Sequence, residues 1–239
     1  MRNRRLWIVT LAASIVAVTA GVPARADGGF TVAHWAMNEP SGAQVMYDSS
    51  GYGLNGSIGG EVVTARDSGD GYGYGFGRLD PDTPPTHPQH LVVVPGYAAL
   101  NPGDRDFSVS LRLRTPYQFG NVIQKGQATV AGGSFKIQIP GGKVQCWFRG
   151  SAGQVLVTAP RPVNDSRWHT ITCTRYSTGV AVAIDGVVAA SKAGPTGTIA
   201  NNWPLSIGGK TNCDQVEVGC DYFAGDLDWV QIDAAGHDW

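Results

Sequence analysis

The sequence predicts an all-β fold of sandwich or barrel type, and three observations carry that expectation. Short runs rich in Val, Ile, Thr and aromatic residues recur along the chain, each bounded by Gly, Pro, Asn or Asp. Within Phe107-Ser-Val-Ser-Leu-Arg-Leu-Arg114 apolar and polar residues alternate strictly, as they do on a strand with one covered and one wet face. No long apolar stripe of period 3.6 appears, and Gly, at 33 of 239 residues, is about twice as frequent as usual, which excludes a helical bundle.

Taken in order, the chain opens with Arg2, Arg4 and Arg5, an uncharged run from Leu6 to Ala20, and Ala24-Arg25-Ala26, the small-x-small pattern of a cleavage site. Residues 1–26 are therefore expected to be an export signal, which makes the protein secreted and leaves 213 residues, 27–239, for one domain. Strands are expected at 30–36, 89–94, 107–114, 122–125, 134–139, 143–148, 155–158, 168–176, 180–184, 205–207 and 222–232. Asp80 to Pro88, with four prolines, is expected to be a stiff surface loop. Asp185-Gly186, between Val180-Ala-Val-Ala-Ile184 and Val187-Val188, predicts a type I′ hairpin, because this pair accepts two positive φ angles.

Removing the signal takes away four arginines and no acid, so 18 basic residues fall to 14 against 19 acidic ones, a net charge of −5. Recognition of nucleic acid by a basic face is excluded on that balance, and no second apolar run is long enough to span a membrane. Four cysteines in an oxidising compartment predict two disulfides. Of three possible pairings we expect Cys146–Cys173, inside strand-like runs that could be sheet neighbours, and Cys213–Cys220, which closes a short loop. The spacings match no common zinc knuckle.

Seven segments together resemble a known family. They are WAMNEPSG (35–42), DSSGYGLNGSI (48–58), DFSVSLRLRT (106–115), RWHTITCTR (167–175), VAIDGVV (182–188), PLSIGGK (204–210) and FAGDLDWVQI (223–232). Their order is similar to that of the laminin G-like, concanavalin A-like jelly rolls of secreted bacterial proteins. The resemblance implies a jelly-roll sandwich of two antiparallel sheets, six or seven strands each, with the first and last strands adjacent. The paired cysteines and the proline-rich loop depart from the usual pattern and resemble a secreted actinobacterial branch.

Glycan-cleaving relatives of this fold use paired carboxylates about 5–5.5 Å apart for retention or about 6.5–9.5 Å for inversion. The family's Glu-x-Asp-x-x-Glu strand is absent here, and Glu39, Glu61 and Glu217 lie far apart in sequence. Asp226-x-Asp228 and the Asp104-x-Asp106 and Asp80-x-Asp82 pairs are the nearest substitutes, and turn or capping duty accounts for such pairs more simply. The His, Arg, Tyr and Gln cluster of jelly-roll lyases is not evident, and His169 is expected to be neutral and structural.

A structural calcium is the candidate cofactor; the alternative is that Asp48 caps a turn through its own backbone while Asp228 accepts backbone hydrogen bonds at a sheet edge. Strand parity puts Asp228 with Val230 and Ile232, where a carboxylate needs a cation or donors, and the DSSGYGLNG loop could bring Asp48 and Asn55 to the same point. Related domains carry a structural calcium between these segments. Tyr72, Tyr74, Tyr97, Tyr117 and Trp203 are candidate platforms for a sugar ring. If Gly71 to Gly77 is extended, Tyr72, Tyr74 and Phe76 share one face, which suits a core flap better than a sugar strip; Trp35, Trp168 and Trp229 are core candidates. The expected function is a non-catalytic recognition module for a glycan or an extracellular protein. The alternatives are a divergent polysaccharide lyase or glycoside hydrolase on the same fold, and a structural extracellular protein.

Overall fold

A computed structural model describes residues 29–79, 87–211 and 222–236. The expected export signal at 1–26, the expected Cys213–Cys220 bridge and nearly all of the proline-rich loop lie outside the described residues. The described strands are β1 (Phe30–Trp35), β2 (Val45–Met46), β3 (Gly56–Ile58), β4 (Val62–Asp67), β5 (Tyr72–Phe76), β6 (Val92–Val94), β7 (Phe107–Arg114) and β8 (Asn121–Lys125). They continue with β9 (Ser134–Gln138), β10 (Lys143–Gly150), β11 (Gly153–Pro162), β12 (His169–Tyr176), β13 (Gly179–Ile184), β14 (Val187–Ala193), β15 (Leu205–Ile207) and β16 (Gly225–Ala234). They form two eight-stranded antiparallel sheets, the concanavalin A-like jelly-roll sandwich that the resemblance implied.

The first sheet runs β14-β13-β12-β7-β16-β5-β4, and β1 pairs with β16. Being ten residues long, β16 lends one edge to β7 and divides the other, with β5 along Gly225–Leu227 and β1 along Val230–Ala234. The first and last strands are adjacent, as expected. The second sheet runs β11-β10-β9-β8-β15-β6-β3-β2.

Alternation in β7 is realised residue by residue: Phe107, Val109, Leu111 and Leu113 are buried, while the polar residues between them are half-buried on the outer face. The core between the sheets takes Trp35, Tyr74, Phe107, Phe135, Phe148 and Phe223, and the rings of Phe107 and Phe135 meet across it at 5.4 Å. Trp35 also donates its indole N–H to the Leu54 carbonyl at 2.8 Å, so the buried ring leaves no polar atom unpaired. The Asp185-Gly186 turn has the expected backbone, with φ of 51° and 79°.

Three expectations need correction. The Gly71–Gly77 segment is an integral strand between β4 and β16, not a flap, and it buries Tyr74 and Phe76. Trp168 is only half-buried and lies outside the core, with the guanidinium carbons of Arg112 and Arg114 at 4.9 and 4.6 Å from its ring centre. Trp229 is half-buried as well, at the bulge that separates Leu227 from Val230 in the pairing with β7.

The Cys146–Cys173 disulfide is present, but its cysteines are not sheet neighbours. Cys146 lies on β10 of one sheet and Cys173 on β12 of the other, so the bond crosses the sandwich, with Cα atoms 5.7 Å apart. Packed sheets ordinarily stand about 10 Å apart, so the bridge marks the narrow side, where β11 and β14, the edge strands of the two sheets, pack together. Replacing both cysteines by serine is expected to cost about 2–4 kcal/mol. Each kcal/mol corresponds to roughly 2–4 °C of melting temperature for a domain of this size, and a thermal melt of the double variant that matches the parent refutes a stabilising bridge.

Candidate functional site

At this narrow side a pocket of about 430 Å³ opens between the sheets, within the range of small-molecule sites, about 300–1,000 Å³. Pro160, Arg161 and Pro162 at the end of β11, with Val163, form one wall; Ile184, Val187 and Ala189 from the β13–β14 hairpin form the other. Asp165, Arg167, His169 and Asp185 supply its polar lining.

Local sequence sets each polar group. Asp165 closes a turn onto the Arg167 N–H at 3.0 Å, and the Arg167 Nε donates to its other oxygen at 2.7 Å. Asp185 sits at the hairpin tip beside the start of β12, where its Oδ1 accepts the Thr170 N–H at 2.9 Å. His169, the first residue of β12, lies between the two acids, with Nδ1 2.8 Å from Asp185 and Nε2 3.1 Å from Asp165.

With a carboxylate at each ring nitrogen, both nitrogens are placed to donate, which is the bonding of an imidazolium. Burial works against that charge, but the hydrogen bonds to Asp185 and Asp165 outweigh it and hold the His169 pKa above the ordinary histidine value. Asp165 is held well below the usual carboxylate range, first by the Arg167 side chain and backbone and then by His169. The expected neutral His169 is thereby corrected, and the turn-forming Asp185 and Asp165 acquire a second role. The sequence signal for both was their turn chemistry, which does not reveal that the two turns face one histidine.

The five expected sugar platforms lie elsewhere, and none lines this pocket. Tyr72 is 53% exposed at the start of β5, and its N–H donates to the Asn38 side chain. Tyr74, by contrast, is fully buried and donates its hydroxyl to Glu39, so it presents no surface to a ligand. Burial and then Glu39 push its pKa upward. Tyr97 is exposed, and Tyr117 is half-buried with the Arg78 guanidinium 5.1 Å from its ring centre. The loop of half-buried Trp203 is anchored by buried Lys125, whose Nζ donates to the Trp203 and Asn201 carbonyls at 2.7 and 3.1 Å. Burial pushes the Lys125 pKa down to about 8.

The expected calcium ligands have other occupations. Both Asp48 oxygens are taken: Oδ1 accepts the His34 and Ser50 N–H groups, and Oδ2 accepts the Ser50 hydroxyl and the Leu54 N–H. Asn55 accepts the Asp48 N–H at 2.8 Å. Asp228 is ion-paired with Arg112, because the bulge between Leu227 and Val230 breaks the assumed parity and turns it away from the core. Asp226 pairs with Arg114 and Arg66 at 2.7 and 3.3 Å, so the Asp226-x-Asp228 pair serves arginines on the sheet surface. Among the described residues no group of three or more His, Cys, Asp or Glu side chains is placed to hold a metal ion. These residues do not fit a calcium shell; the loop is organised by hydrogen bonds around Asp48. Burial raises the pKa of that carboxyl, but the bonds from His34, Ser50 and Leu54 outweigh it and hold it low.

Comparison with known proteins gives the class first: the architecture is that of a lectin-like jelly roll. The family model described as the concanavalin A-like lectin/glucanases superfamily, of laminin G type, matches residues 89–235, and the chain belongs to that family. No curated protein matches it. Among solved structures it is similar to domain 4 of a GH43 extracellular arabinanase from Geobacillus stearothermophilus in complex with arabinotriose, with a TM-score of 0.60 and 18% identity over 87% of this chain and 94% of that one. It is also similar to the binding domain of Paraclostridial Mosquitocidal Protein 1, with a TM-score of 0.60 and 15% identity over 86% of this chain and 48% of that one. Mouse laminin alpha1 chain domains LG4-5 give a TM-score of 0.52 and 18% identity over 70% and 44%. The chain spans about half the length of the mosquitocidal and laminin chains.

Two predictions follow from these contacts. Asp48→Ala orphans the N–H groups of His34, Ser50 and Leu54 and is expected to cost about 1–3 kcal/mol, while the parent melts at the same temperature in calcium and in chelator; a calcium-dependent rise restores the metal expectation. For His169, whose folded pKa is raised, the stabilisation is complete below its unfolded value and is lost as pH rises through the folded one. The melting-temperature difference between the parent and His169→Gln is therefore expected to shrink with rising pH, and a difference independent of pH removes the charged histidine.

Proposed function

We propose that the mature chain is a secreted, non-catalytic recognition module that binds an extracellular ligand, a glycan for preference, in the pocket beside His169. One observation carries this reading: the polar groups of the pocket are already locked to one another, Asp165 to Arg167 and His169, and Asp185 to His169 and Thr170. A site ordered before its ligand arrives loses little entropy on binding. Its apolar walls, Pro162, Ile184 and Val187 among them, suit the C–H face of a pyranose, and the charged groups suit its hydroxyls.

Secretion is supported by the basic and apolar N-terminal pattern and by the disulfide, which persists in oxidising compartments. Among the described residues no helix is long and apolar enough to cross a membrane. Solved structures of the same fold include an arabinanase domain in complex with arabinotriose and a botulinum neurotoxin whose cell entry depends on two ganglioside molecules, and both agree with a glycan ligand. The ion pairs of Asp226 and Asp228 with arginines favour a structural role over an acid–base one for those carboxylates.

The exported product is expected to begin at Asp27 by intact mass. It is expected to give saccharide hits on a glycan array, and Val187→Asp, which puts a charge on the apolar wall at a residue 60% exposed, is expected to remove those hits with the melting temperature unchanged. An array without hits, or hits that survive the substitution, overturns the placement of the site.

A further inference from the structure

We infer that the pocket selects an acidic sugar, a hexuronic acid residue whose carboxylate is held by Arg161 and Arg167 while its ring lies against the hairpin wall. This rests on the saccharide reading above and adds the ligand's charge to it.

The inference comes from the pocket's charge inventory. Both acids are already matched: Asp165 by Arg167 and His169, and Asp185 by His169 and the Thr170 N–H. Arg167 spends its Nε and Nη2 on Asp165, which leaves Nη1 uncommitted on a side chain 79% exposed. Arg161 lines the same pocket and makes no ion pair, hydrogen bond or ring contact among the described residues. The pocket's surplus of positive donors therefore lies on the Arg161 guanidinium, which has no partner among the described residues, and on the Arg167 Nη1. A neutral sugar leaves that surplus unmatched, whereas one carboxylate balances it.

Chemistry favours a carboxylate over a diffuse anion. A guanidinium presents a planar fork that accepts a carboxylate in two parallel hydrogen bonds. Arg161 stands between Pro160 and Pro162, and each proline fixes its own φ and restricts the residue before it, so the backbone carrying the guanidinium is stiffened before binding. The opposite wall, Ile184, Val187 and Ala189, is aliphatic and offers a sugar ring an apolar face but no anion partner. One rim thus reads charge and the other shape.

The test uses the mature chain in titration calorimetry with tri-galacturonate and tri-glucuronate, each beside its methyl ester, which keeps the ring and removes the charge. The free acids are expected to bind at least tenfold more tightly than the esters. Arg161→Gln, at an exposed residue that anchors no other pocket group among the described residues, is expected to bring the acid affinity down to that of the ester with the melting temperature unchanged, while Arg167→Gln, which also releases Asp165, is expected to lower acid and ester affinity together with the preference. Equal affinity for acid and ester, or a preference that survives both arginine substitutions, overturns the acidic-sugar inference and leaves the saccharide pocket standing. Failure of acids, esters and a panel of neutral oligosaccharides alike overturns the saccharide reading itself.

Discussion

The Cys146–Cys173 bond is the constraint on which the rest of the architecture depends. Hydrophobic burial alone brings two sheets together without fixing which side of the sandwich is narrow, because the effect has no direction. A covalent link between β10 and β12, buried in the core, settles that side. It brings the edge strands β11 and β14 against each other, and the pocket lies at their meeting. One wall is contributed by each sheet, so the pocket's width is set by inter-sheet spacing and not by loops alone. The His169 bridge between Asp165 and Asp185 adds a polar tie at the same corner, between the β11–β12 turn and the β13–β14 hairpin.

A second system holds the outer face of the first sheet. Arg66, Arg112 and Arg114 alternate with Asp70, Asp226 and Asp228 across β4, the β4–β5 turn, β7 and β16, and Trp168 lies against two of the three guanidinium groups. Isolated surface pairs are worth about 0–1 kcal/mol, but Asp226 and Asp228 are buried, and a buried carboxylate that loses its cation is costly. The network therefore acts on register: a slip of β16 against β7 by one residue takes both acids away from their arginines, in addition to turning Leu227, Val230 and Ile232 out of the core. Arg112 balances this by serving two carboxylates, and those partners raise its pKa despite the opposing effect of burial.

What could be read from sequence was what repeats at a fixed period. Alternation in β7 and the Asp-Gly turn name their own local structure, and the strands at 205–207 and 134–138 stand between clear turn formers. Bulges are what escaped. β4 has no legible alternation because its register shifts between Val63 and Arg66, around Ala65 with φ of 57°. The same kind of shift after Leu227 reversed the inferred facing of Asp228 and with it the calcium argument. His169 was recognisable as a strand-opening histidine, but its charge depends on acids 4 residues before it and 16 after it, brought together only by the chain reversal of β12 into β13. The pocket was invisible for the same reason, since its walls are more than twenty residues apart and belong to different sheets.

Edge strands explain why a binding site can exist at this corner at all. An exposed edge presents unpaired N–H and C=O groups to any other strand, and natural sheets blunt such edges with proline and charge. β11 ends in Ala159-Pro160-Arg161-Pro162, whose two prolines remove donors from the exposed side, and β14 carries exposed Lys192 at its far end. The prolines that protect the β11 edge from other sheets are therefore among the residues that line the pocket. A strand that cannot be extended by hydrogen bonding offers only its side chains to a visitor, here two proline rings and an arginine without a partner among the described residues. Discrimination at such a surface falls to side-chain shape and charge, which is what a ligand with an apolar ring face and a single carboxylate would match.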